Sequence, residues 1–535
     1  MSYLDLLKSA TDLGDIAAWL GYSPKGLAYI LYKQDDGSKY HTFEVPKRNG
    51  GTRTIEAPNE HLKQVQARLA ERLLSIDGTV AKAQGKKKTV SHAYVNNRST
   101  ITNAKKHTNR RFVFNVDLEN FFGAINFGRV RGYFISNATF SLNKDVATVL
   151  AQIACYNNGL PQGSPSSPII SELIGEILDF RLLQLAKRYR VTYTRYADDL
   201  TFSTNQKTFP VEIGYINQTG SWVPGGELDA LVRRSGFTIN NAKTRMGYRG
   251  SRQTVTGLVV NSKTNVNADY QRSVRAMCYR LLTTGSYDVK EGSPTVNRLE
   301  GMLSYVYHVR ASVKGEASVS NGFKEQYADF LMHKWFVANE KPVLLCEGKT
   351  DVTYIKCAMQ SLGLELEASY FSFDSRLAQL LGLVGGVESQ KELVKRIRKH
   401  VAKYKLTPNL NPTVLLMDND DAAGGAFSYF STFEGVSSPI TKSTDLDFYT
   451  ICEGVNLVKL PAQFTVIEDL FPSQWTGVKL EGKPFNPKKK HKDHSSYGKA
   501  VFAEQVVKTN ANKIDFNQFG ELIKRLHFAT TKPVS

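Results

Sequence analysis

The chain has 535 residues, 41% of them hydrophobic and 22% charged; it is too long for one core, and two to four soluble domains are expected. No apolar run approaches the ~18 residues that cross a bilayer, and five scattered cysteines without a CxxC pair argue against a disulfide framework or zinc ribbon. A surplus of 69 basic over 50 acidic side chains, net +19, favours a polyanionic partner, nucleic acid first among them.

The start, Met1-Ser2-Tyr3-Leu4-Asp5, lacks a basic segment followed by an apolar one, so no secretory signal is expected and a reducing cytoplasm fits. Residues 1–40 read as partly amphipathic helix and 41–56 as a hairpin. Lys47 and Arg53 flank the Gly50-Gly51 turn of that hairpin, a basic clamp suited to a triphosphate. Pro58 is expected to open a helix through about Leu74.

The apolar run Phe112-Val113-Phe114-Asn115-Val116 predicts a strand ending on Asp117. Of the following Phe121 and Phe122, one belongs to the core; Phe122 is the candidate wall against a ribose 2′-hydroxyl. A helix starts near Asn126, and Gly159-Leu160-Pro161-Gln162-Gly163-Ser164-Pro165 is a loop. There Gln162 offers an amide, and Gly163 lets backbone approach a nucleotide. After a helix from Ile169 to about Leu185, two β-type runs, Val191–Arg195 and Leu200–Ser203, bracket Tyr196-Ala197-Asp198-Asp199 as a hairpin turn. Asp117, Asp198 and Asp199 at strand ends are a set that can hold two Mg2+ ions, which points to nucleotidyl transfer. Residues 236–261 alternate as strands around a turn at Asn240–Lys243, with Lys243 the candidate general acid for a leaving pyrophosphate. Helices follow over Tyr270–Leu282 and Asn297–Val309; basic runs stand at Lys86-Lys87-Lys88 and Lys488–Lys492.

Near Ala338–Pro342 the pattern changes to strands alternating with helices, the signature of a small parallel sheet. The strand Val343–Cys346 leads to Glu347 and then Asp351 at a helix start; the strand Thr413–Met417 leads to Asp418 and Asp420. Strand ends in a parallel sheet open on one side, so these carboxylates can share a cation. Glu468 is a candidate for a second ion and Lys499 for stabilising a departing oxygen.

The series Asp117, Gly159-Leu160-Pro161-Gln162-Gly163, Tyr196-Ala197-Asp198-Asp199, Gly236-Phe237 and Lys243 resembles the motif series of reverse transcriptases. Asn103-Ala104-Lys105-Lys106-His107 and Val255-Thr256-Gly257 are similar to the NAxxH and VTG signatures of bacterial retron enzymes. The resemblance implies a right-hand polymerase over residues 1–335, fingers and palm about 1–262 and thumb about 263–335. It also implies a cognate noncoding RNA as template, deoxynucleoside triphosphates as substrates and branched msDNA as product. RNA contacts are then expected from Asn103, His107, Val255, Thr256 and Gly257. Thumb residues Arg272 and Arg275 are expected to join them, with Arg280, Arg298 and His308 on the neighbouring helices.

Glu347-Gly348-Lys349-Thr350-Asp351 with Asp418-Asn419-Asp420 resembles the TOPRIM fold, in its nuclease branch, over about 340–475 of a 340–535 domain. That implies a Mg2+ or Mn2+ nuclease acting on nucleic acid, an antiphage effector released in abortive infection, and a tendency to pair into homo-oligomers. Two alternatives stay open. One is another bacterial reverse transcriptase class or an untemplated abortive-infection polymerase; the other is a C-terminal domain that only binds nucleic acid.

Overall fold

The computed structural model describes residues 2–47, 50–83, 90–289, 292–406, 411–431, 441–442, 448–452, 454–488 and 494–531. The basic run at 86–88, residues 489–492 of the second, and Arg48 and Asn49 of the first hairpin turn lie outside the described residues. Two compact units form: Met1–Ala268 with Val309–Gly315, and Asp269–His308 with Glu316–Ser535.

In the first unit, β1 (Tyr40–Pro46) and β2 (Thr52–Pro58) form the expected hairpin, with Tyr40 opposite Pro58. The next helix, α1, runs Glu60–Ala83. It begins after Pro58 because that residue closes the hairpin, and Asn59 Oδ1 instead accepts from the Leu62 amide at 3.0 Å. Its predicted stripe of Leu62, Val65, Leu69 and Leu73 is buried. A short helix, α2 (Thr100–Lys105), is held by a reciprocal Ser99–Thr102 cap.

The central sheet contains β3 (Phe112–Leu118), β4 (Thr192–Tyr196), β5 (Asp199–Thr204) and β6 (Ile239–Tyr248), in the order β4-β5-β3-β6 with every pair antiparallel. The long helix α3 (Ser167–Arg188) packs beside β4 and buries Ile169, Leu173, Leu178 and Leu182. The turn expected at Asn240–Lys243 does not form. Those residues lie inside β6, where the register against β3 slips between Asn115, opposite Arg245, and Asp117, opposite Asn240. The extra residues are taken up as a bulge, which re-aims side chains without ending a strand. A small hairpin of β7 (Thr254–Val255) and β8 (Leu258–Val259) follows.

The second unit opens with α4 (Ala268–Thr284), most of α5 (Val296–Lys314) and α6 (Asn321–Phe336). These are the helices expected to be a thumb joined to the palm, with the boundary near residue 335. The compact units divide the chain earlier, because α6 packs on α8 (Arg376–Leu381) and α9 (Gly386–Tyr404), and the rings of Trp335 and Phe336 lie on Phe371.

The sheet of this unit contains β9 (Val343–Leu345), β10 (Ser369–Tyr370), β11 (Thr413–Met417), β12 (Thr441–Lys442), β13 (Phe448–Cys452) and β14 (Val455–Lys459), in the order β10-β9-β11-β14-β13-β12. The first four strands are parallel; β13 and β12 add antiparallel pairs. Central β11 is buried at every position, which is why Val414–Met417 is an unbroken apolar run. Helices α7 (Lys349–Leu362) and α10 (Phe519–Thr531) pack on each other, and α10 on β11 and β14.

Candidate active sites

The Asp198 turn joins β4 to β5. Ala197 takes φ +53°, the left-handed region that a two-residue hairpin turn requires and that costs a residue with a Cβ about 1–2 kcal/mol. Two hydrogen bonds hold it: Leu118 N–H to the Asp198 carbonyl at 2.9 Å, and Arg195 Nη1 to the Ala197 carbonyl at 3.3 Å. Arg195 is itself wholly buried. Its guanidinium grips Glu172 at 2.9 and 3.1 Å and Asp179 through two bonds of 2.8 Å, both carboxylates standing on α3. Burial alone would lower the Arg195 pKa, but Asp179 and Glu172 hold it well above its usual value. The Ser91 hydroxyl adds a bond to Glu172 at 2.5 Å and the Tyr193 hydroxyl one to Asp179 at 2.9 Å. Sequence reasoning missed this triad, since its acids sit mid-helix in an apolar stretch and its arginine in a strand.

Pairing places Asp117 opposite Asp199 across β3 and β5. Burial and then the neighbouring carboxylates raise the pKa of Asp198, through Asp117, and that of Asp199 to about 6, through Asp198 and Asp117. These are the marks of negative charge crowded into a poorly solvated place. The bulge in β6 brings Lys243 Nζ to both oxygens of Asp117, at 2.9 and 3.1 Å.

A cavity of about 700 Å³ opens here. It gathers Asp117, Asp198 and Lys243 with Lys47, Arg53, Phe122 and Gln162, residues from five separate stretches of chain. Asp199 and Gly163 do not line it. The glycine requirement at 163 has another cause: a Cβ there would stand 2.5 Å from the Glu56 carbonyl of β2, so the close approach is to the hairpin rather than to a nucleotide. Both rings reach the cavity, but Phe121 is the buried core member, stacked on Phe237 at 5.4 Å, and Phe122 is the half-buried wall. Opposite it stands Tyr94, another cavity residue, 6.4 Å away between ring centroids and at φ +53°. Tyr94 was not anticipated, and nothing in its local sequence marks it.

The retron-like signatures lie elsewhere. Asn103 and His107 are fully buried. His107 bridges the Ser203 and Thr194 hydroxyls, each at 2.7 Å, and Thr194 donates to Asn103 Oδ1 at 2.5 Å. Burial pushes the His107 pKa down to about 3, so the ring is neutral. The expectation that these side chains touch RNA is therefore corrected: they pin α2 onto β4 and β5. Val255 is buried as well, while Thr256 and Gly257, at φ +46° and +79°, form the turn between β7 and β8. The Thr256 hydroxyl bonds the Thr100 carbonyl at 3.1 Å, and Gly257 is exposed. Arg272 and Arg275 are exposed on α4, with the Tyr279 ring 64% exposed on the same face, one turn further along.

A second acidic group forms in the other unit. Glu347 follows β9, Asp418 follows β11, and the two strands are parallel, so both residues emerge on one side of the sheet. Asn419 Nδ2 donates to the carbonyls of Leu460, Pro461 and Phe464, fastening the Asp418–Asp420 turn to the loop before Glu468. The Ile467 amide donates to Asp418 at 3.2 Å, and Asp351 accepts from the Gly348 amide at 2.9 Å. Lys499 Nζ meets Glu468 at 3.0 Å. Burial, then Asp351 and Glu347, push Asp418 up to about 8. Burial and Glu468 push Asp351 to about 6, and burial with Asp420 and Asp351 raises Glu347. Beneath them the buried Gln390 of α9 donates to the Leu345 and Leu416 carbonyls at 3.2 and 3.1 Å, tying the ends of β9 and β11; nothing in its local sequence marks this role.

As the side chains lie, no group of three or more His, Cys, Asp or Glu among the described residues stands close enough to hold an ion. In the first site Lys243 already neutralises Asp117. In the second, Glu347 Oε2 and Glu468 Oε1 are buried without a hydrogen-bond donor, while Glu468 Oε2 is met by Lys499, so this donor set suits a hard cation. Four cysteines, Cys155, Cys278, Cys346 and Cys357, are free, and no helix among the described residues is long and apolar enough to cross a membrane.

The reverse transcriptase (RNA-dependent DNA polymerase) family matches residues 45–279. The chain is 33% identical over 312 residues to the retron Mx65 reverse transcriptase of Myxococcus xanthus, covering 55% of this chain and 67% of that protein. It is 32% identical over 328 residues to the retron Mx162 reverse transcriptase of the same organism, with 56% and 64% covered. To the retron Ec86 reverse transcriptase of Escherichia coli it is 28% identical over 299 residues, with 56% and 84% covered. The chain thus spans about two thirds of the first two relatives. A telomerase structure from Candida tropicalis superposes at a TM-score of 0.32 and 14% identity over 67% of this chain and 63% of that one, too slight a likeness to carry weight.

Proposed function

This chain belongs to the retron reverse transcriptases, and from that premise we propose that its first unit copies a cognate noncoding RNA into branched msDNA. The observation that supports this is the cavity where Asp117 and Asp198 meet Arg53, Lys47, Gln162 and Phe122. Asp117 and Asp198, with Asp199 beside them, would hold Mg2+, which supplies charge neutralisation at the attacking and leaving oxygens. The chain's own groups do the rest. Arg53 and Lys47 bind the triphosphate, Arg53 with the fork geometry that suits phosphate. Phe122 closes the sugar side. A primer hydroxyl gives up its proton to solvent and attacks the α-phosphate, the bond to pyrophosphate breaks, and Lys243 Nζ gives that leaving group a proton. Arg272 and Arg275 on α4, beside exposed Tyr279, suit structured RNA through phosphate contact and stacking.

The test is extension of a primed RNA template by the purified chain. Wild type incorporates deoxynucleotides and rejects ribonucleotides. Phe122→Ala loses about 10- to 100-fold of that discrimination, the scale of one steric contact. Unchanged discrimination removes Phe122 from the sugar site. Incorporation without template would favour the untemplated-polymerase alternative.

For the second unit we propose a TOPRIM nuclease, the toxic effector of an antiphage system. It would use Glu347, Asp418 and Asp420, with Asp351 and Glu468 nearby, and Mg2+ or Mn2+. The support is the convergence of these carboxylates at parallel strand ends beside Lys499. Glu347→Gln is expected to lower nucleic-acid cleavage and growth arrest by at least about 100-fold, comparable to losing one electrostatic stabiliser, while DNA synthesis stays at the wild-type rate. Growth arrest that persists in this variant places the effector chemistry elsewhere; no cleavage by wild type of tRNA, plasmid or linear DNA favours a binding-only domain.

A further inference from the structure

We propose that the cleft between α6 and α9, in the second unit, binds the phosphodiester backbone of a nucleic-acid strand. The cleft has a volume of about 530 Å³, and none of the carboxylates of the second unit's acidic group lines it. Its charged lining is predominantly basic: Lys324 from α6, and Arg396, Lys399 and Lys403 from α9, against Glu325 and Asp329. Two of these cations are already engaged, Arg396 by Glu392 at 2.6 Å and Lys403 by Asp329 at 2.6 Å. The Tyr404 hydroxyl also donates to Asp329, at 2.7 Å, so the cleft's inner carboxylate is compensated before any ligand arrives. No ion pair joins Lys324 or Lys399 to a carboxylate among the described residues, and both face the cleft.

The independent sign of a ligand is His400. Its ring lines the cleft at 4% exposure, and neither ring nitrogen has a hydrogen-bond partner. The nearest carboxylate oxygen, on Asp329, is 3.6 Å from Nδ1, beyond a hydrogen bond. Asp329 therefore faces Nδ1 alone; a merely solvated basic helix face has no need of a buried imidazole whose Nε2 is unpartnered, and a phosphate oxygen is the acceptor that nitrogen lacks.

The arrangement favours a polymer over a single small anion. Lys399 and Lys403 of the cleft, and Lys395 outside its lining, are exposed at four-residue intervals along α9. They rise about 6 Å per step and about 12 Å in all, a row that follows successive phosphates. The apolar wall of Leu380 and Leu381 suits sugar and base faces.

The test uses the full-length chain with a labelled 20-nucleotide single strand, as DNA and as RNA. Amide hydrogen exchange is expected to slow in α6 and α9 when the strand is added, and the paired substitution Lys324→Ala/Lys399→Ala removes that protection. The same pair flattens the salt dependence of binding by about 1.4 in the log–log slope, two phosphate contacts at ~0.7 each. Lys324→Arg/Lys399→Arg restores both readings, and equal melting temperatures show that the variants fold. If inorganic phosphate or a mononucleotide alone gives the full protection and the strand adds nothing, the ligand is a small phosphate and the proposal fails. It fails equally if the strand leaves α6 and α9 unprotected. Protection by DNA alone or by RNA alone upholds it and identifies the source of the backbone.

Discussion

Asp198→Asn abolishes DNA synthesis while leaving RNA binding near wild type. The substitution removes one charge and turns one of the two carboxylate oxygens into an amide nitrogen that cannot ligate a cation, and it keeps the shape of the side chain. Burial and Asp117 already raise the Asp198 pKa, so this carboxylate stands where negative charge is concentrated and a counter-ion is most favoured. Losing it is expected to slow nucleotide incorporation by about 10³-fold, roughly 4 kcal/mol of transition-state stabilisation. RNA affinity, measured separately by gel shift, should change little, since Asp198 is a small part of a basic surface. Normal synthesis by the variant would remove this centre from the reaction.

Arg195→Ala acts on the same turn from below, and through stability. It leaves Glu172 and Asp179 buried without their cation, a loss of about 3–5 kcal/mol. That is a large share of the roughly 5–15 kcal/mol that holds a domain together. Thermal unfolding of the variant is expected well below wild type, with poor recovery of soluble protein. Arg195→Lys rescues only in part, because a point charge cannot satisfy two carboxylates through paired N–H groups. Replacing Arg195, Glu172 and Asp179 together by leucine is expected to cost less than Arg195→Ala alone, since no charge is then stranded. A melting temperature unchanged in Arg195→Ala would show that the triad contributes no stability.

The sequence made the strand ends legible because their chemistry contrasts with what precedes them. An apolar run that stops on Asp117 or Asp418 has few explanations. Phe112–Leu118 and Thr413–Met417 form the strands expected of such runs. The pairing of Phe121 with Phe237 was beyond reach, since which of two adjacent rings enters a core depends on a distant partner. Lys243 was found by type and misplaced by structure, because a bulge in β6 and a turn share the same polar residues. Asn103 and His107 stand in a motif that suggests RNA contacts, yet both His107 nitrogens and Asn103 Oδ1 find their partners within the fold. Polar residues in a compact motif do not declare whether they face solvent or one another. Gln390 and Arg195 escaped notice for a related reason: a buried polar group takes its meaning from partners far away in sequence.

The hold of Lys243 on Asp117 has a thermodynamic consequence. With its own ammonium as an internal counter-ion, the proposed copying centre can assemble in the absence of divalent metal. Chelation would then silence polymerisation without melting the domain, and each ion that enters must first displace a tethered competitor.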